Sequence, residues 1–166
     1  MKKLLLLLLF IPLLSFAQTQ SDYLDKGDAK SDSGDYYGAI YEYTKAIELG
    51  DFYPPALVNR ALAKAKIGDL SSAFEDINYV IKIVPEFGKP YYFRGLLKSN
   101  YSKDYYGAIS DYTKAIELNP DDANSYLQRG ISKSILGDAN GSCADWRKAV
   151  SFGNSTASQK LKDQCN

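Results

Sequence analysis

Histidine is absent from all 166 residues. That excludes Ser-His-Asp triads, Cys-His dyads and most zinc sites, which need an imidazole. Cysteine occurs only twice, with no Cys-x-x-Cys spacing, so the usual redox-active motif is missing. Neither sign of charge dominates: 20 Lys and Arg face 20 Asp and Glu. Without Lys2 and Lys3, which lie in a leader, the balance is 18 against 20. No basic field is left to recruit nucleic acid or anionic lipid. Glycines stand alone, with no phosphate-cradling loop among them. Carboxylates are plentiful, but none is marked as a general acid opposite a base. The expectation is a chain that is not an enzyme, needs no cofactor or metal, and binds no nucleic acid.

What is present begins with the leader. Met1-Lys2-Lys3 is basic, Leu4 to Leu14 is apolar throughout, and Ser15-Phe16-Ala17 places small residues where a signal peptidase reads them. Residues 1–17 are therefore expected to be a signal peptide cut after Ala17, leaving the chain exported, periplasmic or secreted. The other reading is an uncleaved anchor, but Leu4 to Ala17 falls short of the roughly 20 residues a spanning helix needs. No cysteine near the cut suggests a lipoprotein, and no later stretch is long enough for stable membrane insertion. The remaining chain has an ordinary globular composition, 45% hydrophobic and 24% charged over the whole sequence. Tyrosine is unusually frequent, with 14 copies, and is expected to fill the core.

An internal repeat organises the rest. Asp35-Tyr36-Tyr37-Gly38-Ala39-Ile40-Tyr41-Glu42-Tyr43-Thr44-Lys45-Ala46-Ile47-Glu48-Leu49-Gly50 returns at Asp104 to Asn119 with 13 of 16 residues identical, 69 positions later. Weaker copies start at Gly68-Asp69 and Gly137-Asp138, giving spacings of 34, 35 and 34. The odd residue falls in Lys98 to Asp104 and is expected in a turn. Tyr36, Ile40, Tyr43 and Ile47 share one helical face, and strand alternation is absent. Gly34, Gly68 and Gly137 are placed to end a helix in left-handed backbone. Pro85 and Pro120 stop the next helix, and Pro54 and Pro55 fit a first turn. Each copy thus reads as a helix A followed by a helix B.

These residues resemble the tetratricopeptide repeat family. Helix A carries its small residue at Gly27, Ala61, Gly95 and Gly130. Helix B carries Ala39, Ala73, Ala108 and Ser142, then a large residue at Tyr43, Ile77, Tyr112 and Trp146, then Ala46, Val80, Ala115 and Ala149. The closing proline survives only as Pro85 and Pro120; Asp51 and Asn154 replace it elsewhere. The resemblance implies an all-α, right-handed α-α superhelix of four helix-turn-helix repeats, at about 20–53, 54–87, 88–122 and 123–154, with a capping helix over 155–166. The large helix-B residues are expected to fill the space toward the neighbouring pair.

The resemblance also implies a function: a non-catalytic scaffold or adaptor holding a protein or peptide in a concave groove lined by helix A; the leader places it in a bacterial envelope or outside the cell. The alternative is an accessory subunit or minor enzyme of an envelope complex. The groove positions are Leu24, Asp28, Val58, Asn59, Leu62, Lys89, Tyr92, Phe93, Leu96, Leu127, Gln128 and Ile131. Tyr92-Phe93 beside Lys89 is the most adhesive cluster, unless Phe93 packs on a neighbouring helix. One branch of the family clamps a C-terminal carboxylate with Lys and Asn on the first helix A. Here those registers hold Leu24 and Asp28. Asn59 and Lys89 match later clamp positions, but Phe93 replaces a base, so that activity is not expected.

Helix A also carries a base before each small residue, Lys26, Arg60, Arg94 and Arg129, and lysines four positions on, Lys30, Lys64, Lys98 and Lys133. Helix B carries Glu42, Asp76, Asp111 and Asp145. One reading is a basic ladder for an acidic ligand. The favoured one is a structural ladder between helices, with solvated lysines, because acids recur in step with the bases. Three Asn-x-Ser/Thr triplets are given no role. Ala157, Leu161 and Cys165 share one face of the last segment, as a capping helix requires. In an oxidising compartment Cys143 and Cys165 are expected to pair. The 22-residue separation makes that bond worth about 3 kcal/mol by loop entropy. Thiol counting on the denatured, unreduced protein is expected to find no free thiol; two would refute the pairing.

Overall fold

The computed structural model describes residues 18–50 and 52–165. The leader, residues 1–17, lies outside the described residues. Among the described residues nine α-helices follow in order: α1 (Gln20–Asp32), α2 (Tyr36–Glu48), α3 (Pro54–Lys66), α4 (Leu70–Ile83), α5 (Gly88–Leu97), α6 (Tyr105–Leu118), α7 (Ala123–Ile135), α8 (Ala139–Ser151) and α9 (Ser155–Gln164). No strand occurs among the described residues. The helices pair as α1–α2, α3–α4, α5–α6 and α7–α8, each pair packs on the next, and α9 covers the far end on α8. The A helices are α1, α3, α5 and α7. α1 touches α3 and α3 touches α5, so these A helices lie side by side along one face of the array. Among the described residues no helix is long and apolar enough to cross a membrane.

Each B helix begins alike. The Asp35, Asp69, Asp104 and Asp138 carboxylates accept the backbone N–H of Gly38, Ser72, Gly107 and Gly141 at 2.8–3.2 Å, satisfying donors that the first turn leaves open. Before three of these caps the chain reverses through Gly34, Gly68 and Gly137 at φ 82°, 88° and 84°, as their Gly-Asp pattern predicts. In the third pair Lys103 holds that position at φ 57°, a conformation that costs a side-chain-bearing residue about 1 kcal/mol. The 35-residue spacing is resolved differently from expectation. The extra residue is not in an open turn; α5 widens into a π-helical turn over Lys98–Ser102. A π turn takes up one more residue per turn while keeping its backbone hydrogen-bonded.

Closing each pair depends on one contact. A Cβ added to Gly27 would overlap the Tyr43 ring, at Gly95 it would sit 2.6 Å from the Tyr112 ring, and at Gly130 2.5 Å from the Trp146 indole. Where helix A has Ala61, helix B has the smaller Ile77, and both are fully buried. The large helix-B residue therefore seats on helix A of its own pair, and the expected filling toward the neighbour is secondary. Polar tips follow the same direction: Trp146 Nε1 donates to the Leu127 carbonyl at 3.3 Å, and the Tyr112 and Ser99 hydroxyls lie 3.1 Å apart.

The core is a series of clusters. Ala39, Tyr43 and Ala46 meet Ala56 and Ala63 across the first two pairs. Leu57, Val58, Ala61, Ile77 and Val80 meet Leu97 across the next. Leu127, Trp146 and Ala149 meet Ala157 of α9, with Leu161 and Cys165 beside them. Cys143 and Cys165 form the expected disulfide and pin α9 to α8. The expectation for tyrosine is corrected: Tyr43 and Tyr112 are core, but Tyr37 and Tyr106 are 74% and 76% exposed and Tyr41 and Tyr79 are also exposed. Tyr37 and Tyr106 follow the residue that opens their helix, on the side away from helix A.

Gly95→Ala gains about 1 kcal/mol of helix propensity. Against this stands overpacking on a fully buried ring, about 1–3 kcal/mol, so a net loss of stability is expected in urea melts. Gly95→Ala with Tyr112→Ile, which copies the Ala61–Ile77 pair, is expected to recover at least about 1 kcal/mol relative to additivity. Strictly additive losses would contradict the seating contact.

Candidate functional site

Three cavities that share lining residues lie along the A helices; a fourth, about 500 Å³, lies between α5 and α6 around Arg94 and Asp111 of the charged ladder and shares no residue with them. The first, about 330 Å³, is lined by Asp28, Ser31, Asp32, Tyr43, Asn59 and Leu62. The second, about 260 Å³, is lined by Pro54, Pro55, Val58, Asn59, Phe87, Lys89 and Phe93 and is the most apolar of the three. The third, about 220 Å³, is lined by Gly88, Lys89, Tyr92, Phe93, Ala115, Asn119, Asp122 and Asn124. Asn59 belongs to the first and second, and Lys89 and Phe93 to the second and third, so the three form one groove.

Of the residues expected in the groove, Asp28, Asn59 and Leu62 meet in the first cavity, Val58 and Phe93 in the second, and Lys89 and Tyr92 in the third. Others are held by packing. Leu127 is 7% exposed and belongs to the Trp146 cluster, with Ile131 against it. Leu24 packs on the first cluster. Val58 is 6% exposed and shows only one flank to its cavity. Leu96 and Gln128 are half-buried and line none of these cavities. The reason is geometric: a helix-A face that meets its partner helix and the next pair leaves only a narrow free strip. Phe93 does both jobs, packing against the Leu57–Leu97 cluster and lining two cavities. The Tyr92 ring meets Phe93 edge-on at 5.3 Å and Tyr112 at a tilt at 6.0 Å between centroids, and burial pushes its phenol above the ordinary value.

Several lining residues escaped the sequence reading. Pro54, Pro55, Phe87 and Gly88 lie where the chain enters an A helix, and Asn119, Asp122 and Asn124 do the same for α7. Helical periodicity reports on helix interiors and is silent on these entries. Their signal was the proline and Asn/Asp content itself.

Polar order is concentrated in the first cavity. Asp28 Oδ1 accepts the Tyr43 hydroxyl at 2.7 Å and the Asn59 amide at 2.8 Å. Burial and then the Asp28 hydrogen bond push the Tyr43 phenol well above its ordinary range, so it stays a donor. Neither Asp28 nor Asp32 forms an ion pair among the described residues.

The basic series on helix A is structural. Arg60, Arg94 and Arg129 each fork onto Asp76, Asp111 and Asp145 at 2.6–2.9 Å. Each also reaches back to the preceding B helix, to Thr44, Asn78 and Thr113, at 2.8–3.1 Å. Lys64, Lys98 and Lys133 close on the same three aspartates at 2.8 Å, so these lysines are ladder members and not solvated. The first pair departs from the series. Here Lys26 and Glu42 stand where the other pairs have arginine and aspartate; Lys26 lies over the Tyr23 ring and Lys30 pairs with Asp35.

Family profiles described as tetratricopeptide repeat match residues 89–122 and 111–144. The chain carries tetratricopeptide repeats. Small glutamine-rich tetratricopeptide repeat-containing protein 2 of Mycosarcoma maydis is 37% identical over 109 residues, covering 66% of this chain and 30% of that protein. Hsp70-Hsp90 organizing protein 2 of Arabidopsis thaliana is 29% identical over 125 residues, 70% of this chain and 21% of that protein. The tetratricopeptide array therefore spans less than a third of these curated relatives. The Sgt2 tetratricopeptide domain of Aspergillus fumigatus superposes with TM-score 0.65 at 27% identity, covering 73% of this chain and 81% of that one. A thermophilic tetratricopeptide protein of Thermus thermophilus gives TM-score 0.71 at 21% identity over 81% of this chain and 75% of that one. That second likeness concerns the fold of the tetratricopeptide array alone.

Asp111→Ala strands Arg94 and Lys98 together. Because Arg94 keeps 22% of its side-chain surface, the loss is expected near the low end for orphaning a buried pair, about 3 kcal/mol. Chemical denaturation measures it, and unchanged stability would return the ladder to the pool of ligand-binding candidates.

Proposed function

We propose that this chain is a non-catalytic scaffold that holds a protein or peptide partner in the groove along its A helices, and that all four helix pairs are repeats of one family. The observation that carries the reading is the run of three joined, open cavities. At 220–330 Å³ each is at or below the lower end of the roughly 300–1,000 Å³ usual for small-molecule sites. A row of shallow holes suits successive side chains of another chain better than one compact ligand. The Arabidopsis thaliana relative, named as an organizing protein for two other proteins, favours the same class of role.

Export to a bacterial envelope or the medium is part of the proposal. It is supported by the basic, apolar and small-residue order of residues 1–17 and by the disulfide, which persists in oxidising compartments.

A photo-crosslinking amino acid at position 89, which is exposed and borders two cavities, is expected to trap a defined partner in cells. The same probe at position 106, exposed on B helix α6, is expected not to. Equal trapping, or none from position 89, overturns the groove reading. In the same cells the mature chain is expected outside the cytoplasm with Gln18 as its first residue; an unprocessed cytoplasmic chain overturns export.

A further inference from the structure

The groove changes chemistry along its length, and this restricts what can lie in it. At its α1 end, Asp28 and Asp32 occupy the last two turns of the helix. The negative end of the α1 dipole adds to that charge, although its Ala29, Lys30 and Ser31 carbonyls accept the Ser33, Asp35 and Gly34 N–H groups. Asp28 has already drawn the two nearby donors, Tyr43 and Asn59, onto its Oδ1. Among the described residues its Oδ2 accepts no hydrogen bond, and no Lys or Arg pairs with either carboxylate. The lysine nearest along the helix, Lys30, is committed to Asp35 at 2.9 Å. The next stretch, sharing Asn59, is mainly apolar: Pro54, Pro55, Val58, Phe87 and Phe93 enclose about 260 Å³ together with the exposed Lys89, which also lines the third cavity, and Phe87 remains 46% exposed beside it. Isolated carboxylates on a surface are ordinary. Here they form one wall of an apolar groove whose other wall is side-chain-sized, and together they define a charge and a shape.

We infer that the groove selects an extended segment of a partner protein in which a lysine or arginine enters the Asp28–Asp32 end while a neighbouring bulky apolar side chain fills the Pro54–Phe93 cavity. This rests on the groove reading above. The apolar cavity supplies burial for one large side chain. The carboxylates supply the choice of sign at that end, since an acid there meets two like charges and only the Ser31 hydroxyl as a donor not already held by Asp28. At the Asp28–Asp32 end a C-terminal carboxylate is rejected on the same ground: the Asn59 amide that could greet it already serves Asp28, and Lys89 lies beyond this cavity. An extended segment is favoured over a helix because the holes lie in a row and are narrow.

Fluorescent peptides of about ten residues, each carrying one basic and one bulky apolar residue at varied spacing, test this by anisotropy with the full mature chain. At least one spacing is expected to bind in a salt-sensitive manner. Replacing its Lys by Glu is expected to weaken binding about tenfold or more. Asp32→Asn, an exposed change with no structural bond to lose, is expected to weaken the Lys peptide several-fold while leaving thermal unfolding in place; Asp28→Asn, which keeps an acceptor for Tyr43 and Asn59, is expected to do the same. Equal affinity for Lys and Glu peptides, preference for the acid, indifference to both variants, or no binding by any peptide each overturns the inference. Groove-specific crosslinking from position 89 with any of these results would leave the scaffold standing and remove only its charge selectivity. Loss of that crosslinking would remove the scaffold itself.

Discussion

The distance between the two helices of a pair is the constraint on which everything else rests, and one contact sets it. A glycine on helix A leaves a gap that a single aromatic ring on helix B fills to van der Waals contact, at Gly27–Tyr43, Gly95–Tyr112 and Gly130–Trp146. The second pair reaches the same end with Ala61 and Ile77, so volume is shared between the two positions and neither is set alone. Glycine inside a helix is unfavourable by about 1 kcal/mol, and close packing around a buried ring offsets it. Because each pair closes at a controlled separation, its remaining apolar surface faces the next pair, and the core is distributed along the array.

The charged ladder works on top of this spacing. Each arginine joins three helices: its own A helix, its own B helix through aspartate, and the preceding B helix through a threonine or asparagine. Buried ion pairs are weak evidence for stability, but a planar fork with fixed partners sets the register of one pair on the next. The ladder also sorts charge. Its six bases are consumed by three aspartates, which leaves Asp28 and Asp32 as carboxylates without a base at the groove end. The groove's polarity thus follows from where the ladder stops: in the first pair Lys26 turns to Tyr23 and Lys30 to Asp35, and neither reaches Asp28 or Asp32.

Irregularities in the array fall where they disturb the groove least. The extra residue of the third pair is absorbed at the C-terminal end of α5, away from Lys89, Tyr92 and Phe93 near its start. At the far end α9 takes the place of another A helix, placing Ala157 and Leu161 on the last cluster. With only a short apolar face, it relies on the Cys143–Cys165 bond and on Asn154, whose side chain caps its first turn.

The amino-acid sequence by itself determined the alternation of A and B helices, the repeat lengths, the left-handed glycines and the pairing of the two cysteines. These are local or periodic properties, and a 13-of-16 repeat prints them twice. It also showed that bases and acids recur in step, which separates a ladder from a ligand site. Only the tertiary structure decided which helix-A residues stay open. Leu24, Val58, Leu127 and Ile131 have the same apolar character as Phe93, yet packing claims most of their surface. Conversely Pro54, Phe87 and Asp32 reach the groove from helix ends, where no periodicity applies. Whether a side chain is core or groove depends on the curvature of the stack, a sum over several pairs that no single repeat encodes.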